Sequence, residues 1–319
     1  MVLSTLLREK INTDPITAVE AWRARSKRVL ELESSADRAL LCGFLADRVA
    51  YAFAGGYEAA LSNLVAGKLD QARARRATSL CITEEGGGHP RAIKTALGEG
   101  THGTLVLNGR KQWATGAQTA DLLLVAASVG FDDAGRNKLV LVAVDARAPG
   151  VTWSAMPQTP FAPELPHARV ELDHVRVSPG DVLVGDGYDV YIKPFRTIED
   201  SHVFLALIGY LIRSARLYEE SRSVIEELCA AATALSAITR ASATAPETHV
   251  ALAGALAWGK ALMDRVSFEN APDDVRERWE RDRALSLVAE RARAERRNRA
   301  WTTIGTGEPQ TTPLGGSAR

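Results

Sequence analysis

The spacing of apolar residues divides the chain into three stretches of different period. Up to about residue 78 the spacing is helical. Asp14-Pro15 sets a capping side chain before a proline suited to the first helical position, so it reads as a helix start, with Ala18, Trp22 and Val29-Leu30 following at roughly helical spacing. A second helix is predicted from Ser35 through Leu40, Leu41, Phe44, Leu45 and Val49, breaking at Gly55-Gly56. From Thr78 the pattern changes to short β-branched or apolar runs over residues 79–83, 103–107, 112–115, 122–127, 139–144 and 168–177, with turn residues between them. Asn108-Gly109 reads as a hairpin turn, and strands at this spacing suggest an antiparallel sandwich or barrel. After Gly187 the helical period returns. Residues 203–212 are apolar on every side, as in a helix buried within a bundle, and further helices are predicted over 214–235, 247–266 and 273–301. Beyond Gly305 the chain is rich in Gly, Thr, Pro and Ser, the composition of a disordered tail.

Composition narrows the function classes. The chain has 319 residues, with 39 basic side chains balancing 39 acidic ones, so no sequence-independent grip on nucleic acid or an anionic membrane is expected. No apolar run is long enough to span a bilayer. The three cysteines, Cys42, Cys81 and Cys229, lie among apolar neighbours without a Cys-x-x-Cys pair and read as small buried hydrophobes of a reducing compartment. The first residues reach Arg8, Glu9 and Lys10 before any long apolar run, unlike a signal peptide. Together these point to a cytoplasmic protein. The six histidines show no metal-ligand spacing, and no metal site is expected.

Three motifs carry the chemistry: residues 80–89, Leu-Cys-Ile-Thr-Glu-Glu-Gly-Gly-Gly-His; residues 108–116, Asn-Gly-Arg-Lys-Gln-Trp-Ala-Thr-Gly; and residues 118–125, Gln-Thr-Ala-Asp-Leu-Leu-Leu-Val. The first two are short apolar strands running into small and hydroxyl residues, suited to holding a flat hydrogen-bonding ring against backbone. In order and spacing the three resemble the flavin-binding core of the acyl-CoA dehydrogenase family. The resemblance implies an α+β, acyl-CoA dehydrogenase-like fold: an N-terminal helical domain (1–78), a central antiparallel β barrel (79–187), a C-terminal helical bundle (188–304) and a tail (305–319). It also implies FAD as cofactor, an acyl thioester as substrate and a homodimer or tetramer.

Under the resemblance, Thr83 and Thr115 hydrogen-bond the edge of the isoalloxazine ring and Trp113 packs against it. The other reading is two ordinary strand threonines and a core aromatic. Gly88, in the run Gly86-Gly87-Gly88, would let backbone approach a pyrophosphate or thioester, unless the run is simply a turn. Glu85 stands where most relatives have Pro, and His89-Pro90 where they have Ser-Asp; His89 could still donate a hydrogen bond. The family needs a carboxylate to remove an α-proton. Glu199 lies about three turns before Gly209, matching one family position for that base, although Thr197-Ile198-Glu199-Asp200 also reads as a capping box. Glu290 follows Arg281-Asp282 at the interval of the other position, but Arg291-Ala292 replaces the family's Gly-Thr, so Glu290 reads as a solvated carboxylate on a continuing helix. The family's Arg-x-x-Phe-Gly is replaced by Arg222-Ser223-Val224-Ile225-Glu226, and the chain is shorter than a usual member. Two rival functions stand beside the dehydrogenase: a flavin monooxygenase on the same fold, and a non-catalytic relative used for binding or assembly.

Overall fold

A computed structural model describes residues 2–305; the tail expected over 305–319 lies outside the described residues beyond Gly305. Five helices come first: α1 (Leu3–Arg8), α2 (Val19–Ser26), α3 (Ser35–Leu45), α4 (Val49–Leu64) and α5 (Gln71–Ala74). The Ser34 hydroxyl caps α3 by accepting the Asp37 N–H at 3.3 Å. Two expectations fail here. Asp14-Pro15 starts no helix, because its segment is pinned as extended chain: the Ile16 N–H donates to Asp47 at 2.9 Å, and Arg48 donates to the Ile16 carbonyl at 3.0 Å. Nor does the second helix break at Gly55-Gly56. It breaks earlier, between α3 and α4, and the two glycines sit inside α4 where neighbours leave no room for a side chain. A Cβ on Gly55 would lie 2.3 Å from the Cys42 Cβ, and one on Gly56 2.7 Å from the Val203 Cα. Packing space, not helix ending, is what the pair provides.

Seven strands form a curled mixed sheet: β1 (Thr78–Cys81), β2 (Ala96–Glu99), β3 (Leu105–Thr115), β4 (Leu122–Phe131), β5 (Asn137–Asp145), β6 (Val151–Ala155) and β7 (His167–Val177). The order is β1-β4-β2-β3-β7-β6, with β5 also paired to β4. β1 and β2 run parallel to β4, while the other pairings are antiparallel. Alternate residues separate two cores, as a strand's period of two requires. Leu123, Val125, Val142 and Val144 face the inside of the curl with Val170 and Leu172, while Leu122, Leu124, Leu139 and Leu141 pack under Tyr57, Leu61 and Leu64 of α4. Asn108-Gly109 does not turn the chain. It sits inside β3 at a register shift against β7, where the Asn108 side chain accepts the His174 N–H at 2.8 Å, and the two predicted strands on either side merge into one. The short strands β2 and β6 are missing from the sequence reading because neither has a buried face.

The helical half consists of α6 (Lys193–Leu217), α7 (Arg222–Ile238), α8 (Pro246–Arg265), α9 (Asp273–Asp282) and α10 (Glu290–Ile304). α6 is the axis of the molecule, buried over nearly its whole second half as the unbroken apolar run predicts. Its His202 ties three helices: Nδ1 donates to the Ile198 carbonyl at 2.7 Å and Nε2 meets the Ser35 hydroxyl at 2.9 Å, which also accepts from Asn63. Burial pulls the imidazole down to about 4, so it is neutral at physiological pH. The predicted single helix over 273–301 is instead two helices. A 3-10 turn at Arg283–Leu287 and a left-handed Ala289 interrupt it, because the Asp282 carboxylate is fully buried and anchored to the loop before β7 through the Ala162 N–H at 2.7 Å.

The close contact between α6 and α3 supplies a test. A Cβ on Gly209 of α6 would lie 2.1 Å from the Leu40 carbonyl oxygen of α3. Gly209→Ala should therefore destabilise by about 3 kcal/mol, since backbone must move to admit the methyl group. Urea unfolding checks this; a variant within a few tenths of a kcal/mol of the parent would show that α6 and α3 are not in this contact.

Candidate functional site

The site begins at the end of β1, where Glu84 and Gly87 exchange backbone hydrogen bonds across a two-residue turn. The Gly86-Gly87-Gly88 run is thus first of all a turn. Glu84 itself turns inward and is nearly inaccessible. Its carboxylate accepts from the Lys94 N–H at 2.8 Å, the Thr95 N–H at 3.0 Å, the Thr95 hydroxyl at 2.8 Å and the Lys111 ammonium at 2.7 Å. Lys111 is 0% exposed. Burial alone would raise the Glu84 carboxyl, but the Lys111 contact and the backbone donors outweigh it and hold the carboxyl below the usual carboxylate range. The pair locks β3 against the turn after β1. Sequence reasoning assigned it no role, although both residues stand in the quoted motifs.

That lock sets the register of the ring-edge candidates. The Gln112 N–H donates to the Thr83 carbonyl at 2.7 Å, and the Ser79 hydroxyl donates to the Thr115 carbonyl at 2.8 Å, so β1 and the residues just past it, including Thr83, face the end of β3 that carries Thr115. Neither threonine hydroxyl has a hydrogen-bond partner among the described residues. Between them, β3 bulges and Trp113 takes a left-handed backbone (φ +56°), a conformation an aromatic residue rarely adopts. The bulge turns the indole outward, 44% exposed, edge-on to the His167 ring at 5.9 Å between centroids. Trp113 is therefore not a core aromatic. Gly88 packs beside Thr83, where even a Cβ would stand 3.5 Å from the hydroxyl oxygen. His89 caps the 3-10 turn Pro90–Ala92 through Nδ1, which accepts the Arg91 N–H at 3.2 Å.

Glu199 lies on a different wall. It lines a cavity of about 230 Å³ with Phe161, Leu165, Val203, Phe204, His167 and Arg196. Burial in this apolar lining, reinforced by the Asp200 carboxylate and opposed by Arg196, pushes its carboxyl up to about 7. His167 is the link to the ring-edge group, because it pairs with Thr115 across β3 and β7 and touches Trp113; Thr83, Trp113 and Thr115 do not themselves line the cavity. The capping-box reading of Thr197–Asp200 fails, since α6 already begins at Lys193 and is preceded by a π-helical turn capped by Asp186. Asp200 instead accepts from Arg293 at 2.9 Å and from Arg296 at 2.5 Å, both on α10. Glu290 is a solvated carboxylate as expected, 2.7 Å from the Lys260 ammonium, at the start of α10 rather than within a continuing helix.

The chain is similar in part to known proteins. Residues 79–175 match the family model "Acyl-CoA dehydrogenase, middle domain". A "Probable short/branched chain specific acyl-CoA dehydrogenase" of Dictyostelium discoideum is 31% identical over 118 residues, a stretch that is 36% of this chain and 28% of the relative's length. Among solved structures, an FAD-dependent dehydrogenase superposes with a TM-score of 0.69 at 16% identity, covering 95% of this chain and 96% of the other. The butyryl-CoA dehydrogenase of Megasphaera elsdenii gives a TM-score of 0.65 at 14% identity, over 84% and 82% of the two chains.

The Glu84–Lys111 lock predicts a stability change with a defined pH dependence. Lys111→Met strands a buried carboxylate and should cost about 3–5 kcal/mol at neutral pH. The wild-type contribution is present above the unfolded carboxyl pKa and is lost as pH falls through the lower folded value. The stranded carboxyl in the variant is relieved by protonation, so the deficit should shrink in acid. Denaturant midpoints at pH 7 and pH 4 measure it; an equal deficit at both would remove the ion pair as its cause.

Proposed function

We propose that this chain is a divergent member of the acyl-CoA dehydrogenase family, and that it is a FAD-dependent oxidoreductase acting on an acyl thioester, with Glu199 as the base. The observation that carries this reading is the Glu199 carboxyl at about 7 on the wall of an apolar cavity, one side chain removed from the Trp113–Thr115 group. In this reading residues 79–187 are the flavin-binding domain between helical domains 1–78 and 188–304, and the active species is a homodimer or tetramer.

The residues fit the cofactor. Two hydroxyls, Thr83 and Thr115, stand on facing segments without a hydrogen-bond partner among the described residues, beside an outward indole and the Cβ-free backbone of Gly88, with His89 adjoining. Those hydroxyls and adjacent amides would hold the ring edge, where preorganised donors stabilise charge that develops during the reaction. FAD, when bound, supplies a two-electron acceptor. Glu199 Oε takes the α-proton of the thioester, and its raised pKa is near the value that makes a carboxylate an effective base at neutral pH. Phe161, Leu165 and Phe204 exclude water around it and so sustain that basicity, while Arg196 beside it keeps the ionised form accessible. The Asp200–Arg293–Arg296 cluster fixes the next residue of α6 and with it the direction of the Glu199 side chain.

Two measurements test this. The purified protein loaded with FAD should show a bound-flavin absorption spectrum, and Glu199→Gln should keep that spectrum while dehydrogenation falls by ~10² or more. In the wild type, kcat/KM should rise with pH through about 7, because only the ionised carboxylate is active, and the variant should lose that limb. A variant that retains turnover with reduced flavin and oxygen would favour the monooxygenase instead; a protein that takes up no flavin would favour the non-catalytic relative. Sedimentation at micromolar concentration checks assembly, where a monomer would remove the oligomer.

A further inference from the structure

A cleft of about 390 Å³ opens among the N-terminal helices, walled by α2 and the 3-10 turn that follows it (Lys27–Glu31), by α3 and α4, and by the link from α5 into β1. It shares no lining residue with the Glu199 cavity and includes none of the ring-edge residues. Its volume is within the range of small-molecule sites, ~300–1,000 Å³. Five cationic side chains, Arg23, Lys27, Arg38, Arg75 and Arg76, line it against two carboxylates, Glu58 and Asp121. Both carboxylates are already matched, Glu58 by Arg23 at 3.2 Å and Asp121 by Arg147 at 3.5 Å. Arg76 is matched as well, by Asp145 at 2.8 Å. Lys27, Arg38 and Arg75 have no ion pair among the described residues. The chain as a whole is charge-balanced, so this excess is local.

Arg38 is the fixed point of the cluster. Its Nε donates to the Leu32 carbonyl at 2.6 Å and its Nη1 to the Ser62 hydroxyl at 2.7 Å, so two of its three nitrogens are held by neutral partners. Nη2 has no partner among the described residues and remains accessible. Burial, and after it the Arg75 charge, hold the guanidinium below its usual range, although it stays protonated. Two guanidiniums thus face one cleft without a counter-ion, an arrangement that is relieved when an anion enters. The lining also carries a small apolar patch, Val29, Cys42 and Ala59.

We propose that this cleft is a second ligand site, taking a small organic anion whose carboxylate or phosphate head lies between Arg38 and Arg75 and whose compact apolar body rests on Val29, Cys42 and Ala59. A guanidinium fork meets the oxygens of either head in pairs, and Arg38, already held by Leu32 and Ser62, loses little freedom on binding. Lys27, exposed on the same lining, adds attraction without a fixed geometry. The occupant bridges α3, which carries Arg38, to the link into β1, which carries Arg75, so its binding is coupled to the stability of the fold. The site stands independently of the flavin reading, because none of its residues takes part in that chemistry.

The test titrates three probes of similar body by calorimetry: phenyl phosphate, benzoate and the uncharged benzyl alcohol. They are applied to the full chain, to Arg38→Gln and to Arg75→Gln. The Arg75 side chain has no partner among the described residues, so Arg75→Gln should melt at the parent temperature and its binding can be read directly; Arg38→Gln gives up the Leu32 and Ser62 contacts and should melt lower. At least one anion should bind the parent ~10-fold or more tighter than benzyl alcohol and raise its melting temperature. Each variant should weaken that anion by ~10-fold while leaving benzyl alcohol unchanged, and added salt should weaken it further. Preference for phenyl phosphate assigns the head as a phosphate, and preference for benzoate assigns it as a carboxylate. Binding of neither anion, equal binding of benzyl alcohol, or an Arg75→Gln affinity equal to the parent's would overturn the site.

Discussion

Everything in this molecule is placed by how closely α6 lies against α3 and α4. Where most helix pairs are separated by side chains, here backbone meets backbone: a Cβ on Gly43 of α3 would fall 1.7 Å from the Ala206 carbonyl oxygen, and Gly56 and Gly209 are almost as confined. Such an approach needs glycine on whichever helix presents its backbone. The contact fixes α6 along its length, so its first turns, which carry Arg196, Glu199 and Asp200, emerge at one set position beside the sheet. A wider spacing would open the Glu199 cavity to water and release the carboxyl from the burial that raises its pKa.

A second constraint closes that cavity from the side. Glu164, in the loop before β7, accepts from Arg281 of α9 at 2.9 Å and from Arg48 at the start of α4 at 3.3 Å, while Arg281 also grips Asp282, which takes the Ala162 N–H. One half-buried carboxylate thus joins the first helices, the sheet and the last helices. Phe161, Ala162 and Leu165, which wall the cavity, lie in the segment so held. The interruption between α9 and α10 follows from this, because a continuous helix could not bring Asp282 to the loop and also bring Arg293 and Arg296 to Asp200.

The sequence was most informative where structure is local. The change of period at Thr78 and its return after Gly187 mark the sheet correctly, and the apolar run over 203–212 is the buried stretch of α6. The failures share one cause. Gly55-Gly56, Asn108-Gly109 and Asp14-Pro15 were read by local rules, but each is decided by a distant partner: Cys42 and Val203, His174, and Asp47 with Arg48. The same holds at the site. Thr83, Trp113 and Thr115 could be singled out because motifs carry them, whereas His167, which connects them to Glu199, sits in no motif and is visible only through strand pairing. The nearest signal for the Glu84–Lys111 lock was its presence inside two motifs 27 residues apart.

Glu199 and Asp200 show how neighbouring carboxylates acquire different uses. They are successive on one helix and so point about 100° apart, into different surroundings. Asp200 meets two guanidiniums from α10, and its charge is neutralised where it is buried. Glu199 meets aromatic and aliphatic side chains with Arg196 as its nearby cation, so its charged form is disfavoured and its proton is held to about 7. Environments that separate two acids in this way assign one to structure and leave the other free for proton transfer. The separation depends on α10 reaching Asp200. Without Arg293 and Arg296 the Asp200 charge would be unscreened beside Glu199, and the Glu199 carboxyl would be held higher still. The last helix therefore bears on the charge of Glu199 in two ways, through Asp200 and through its own Arg293 and Arg296.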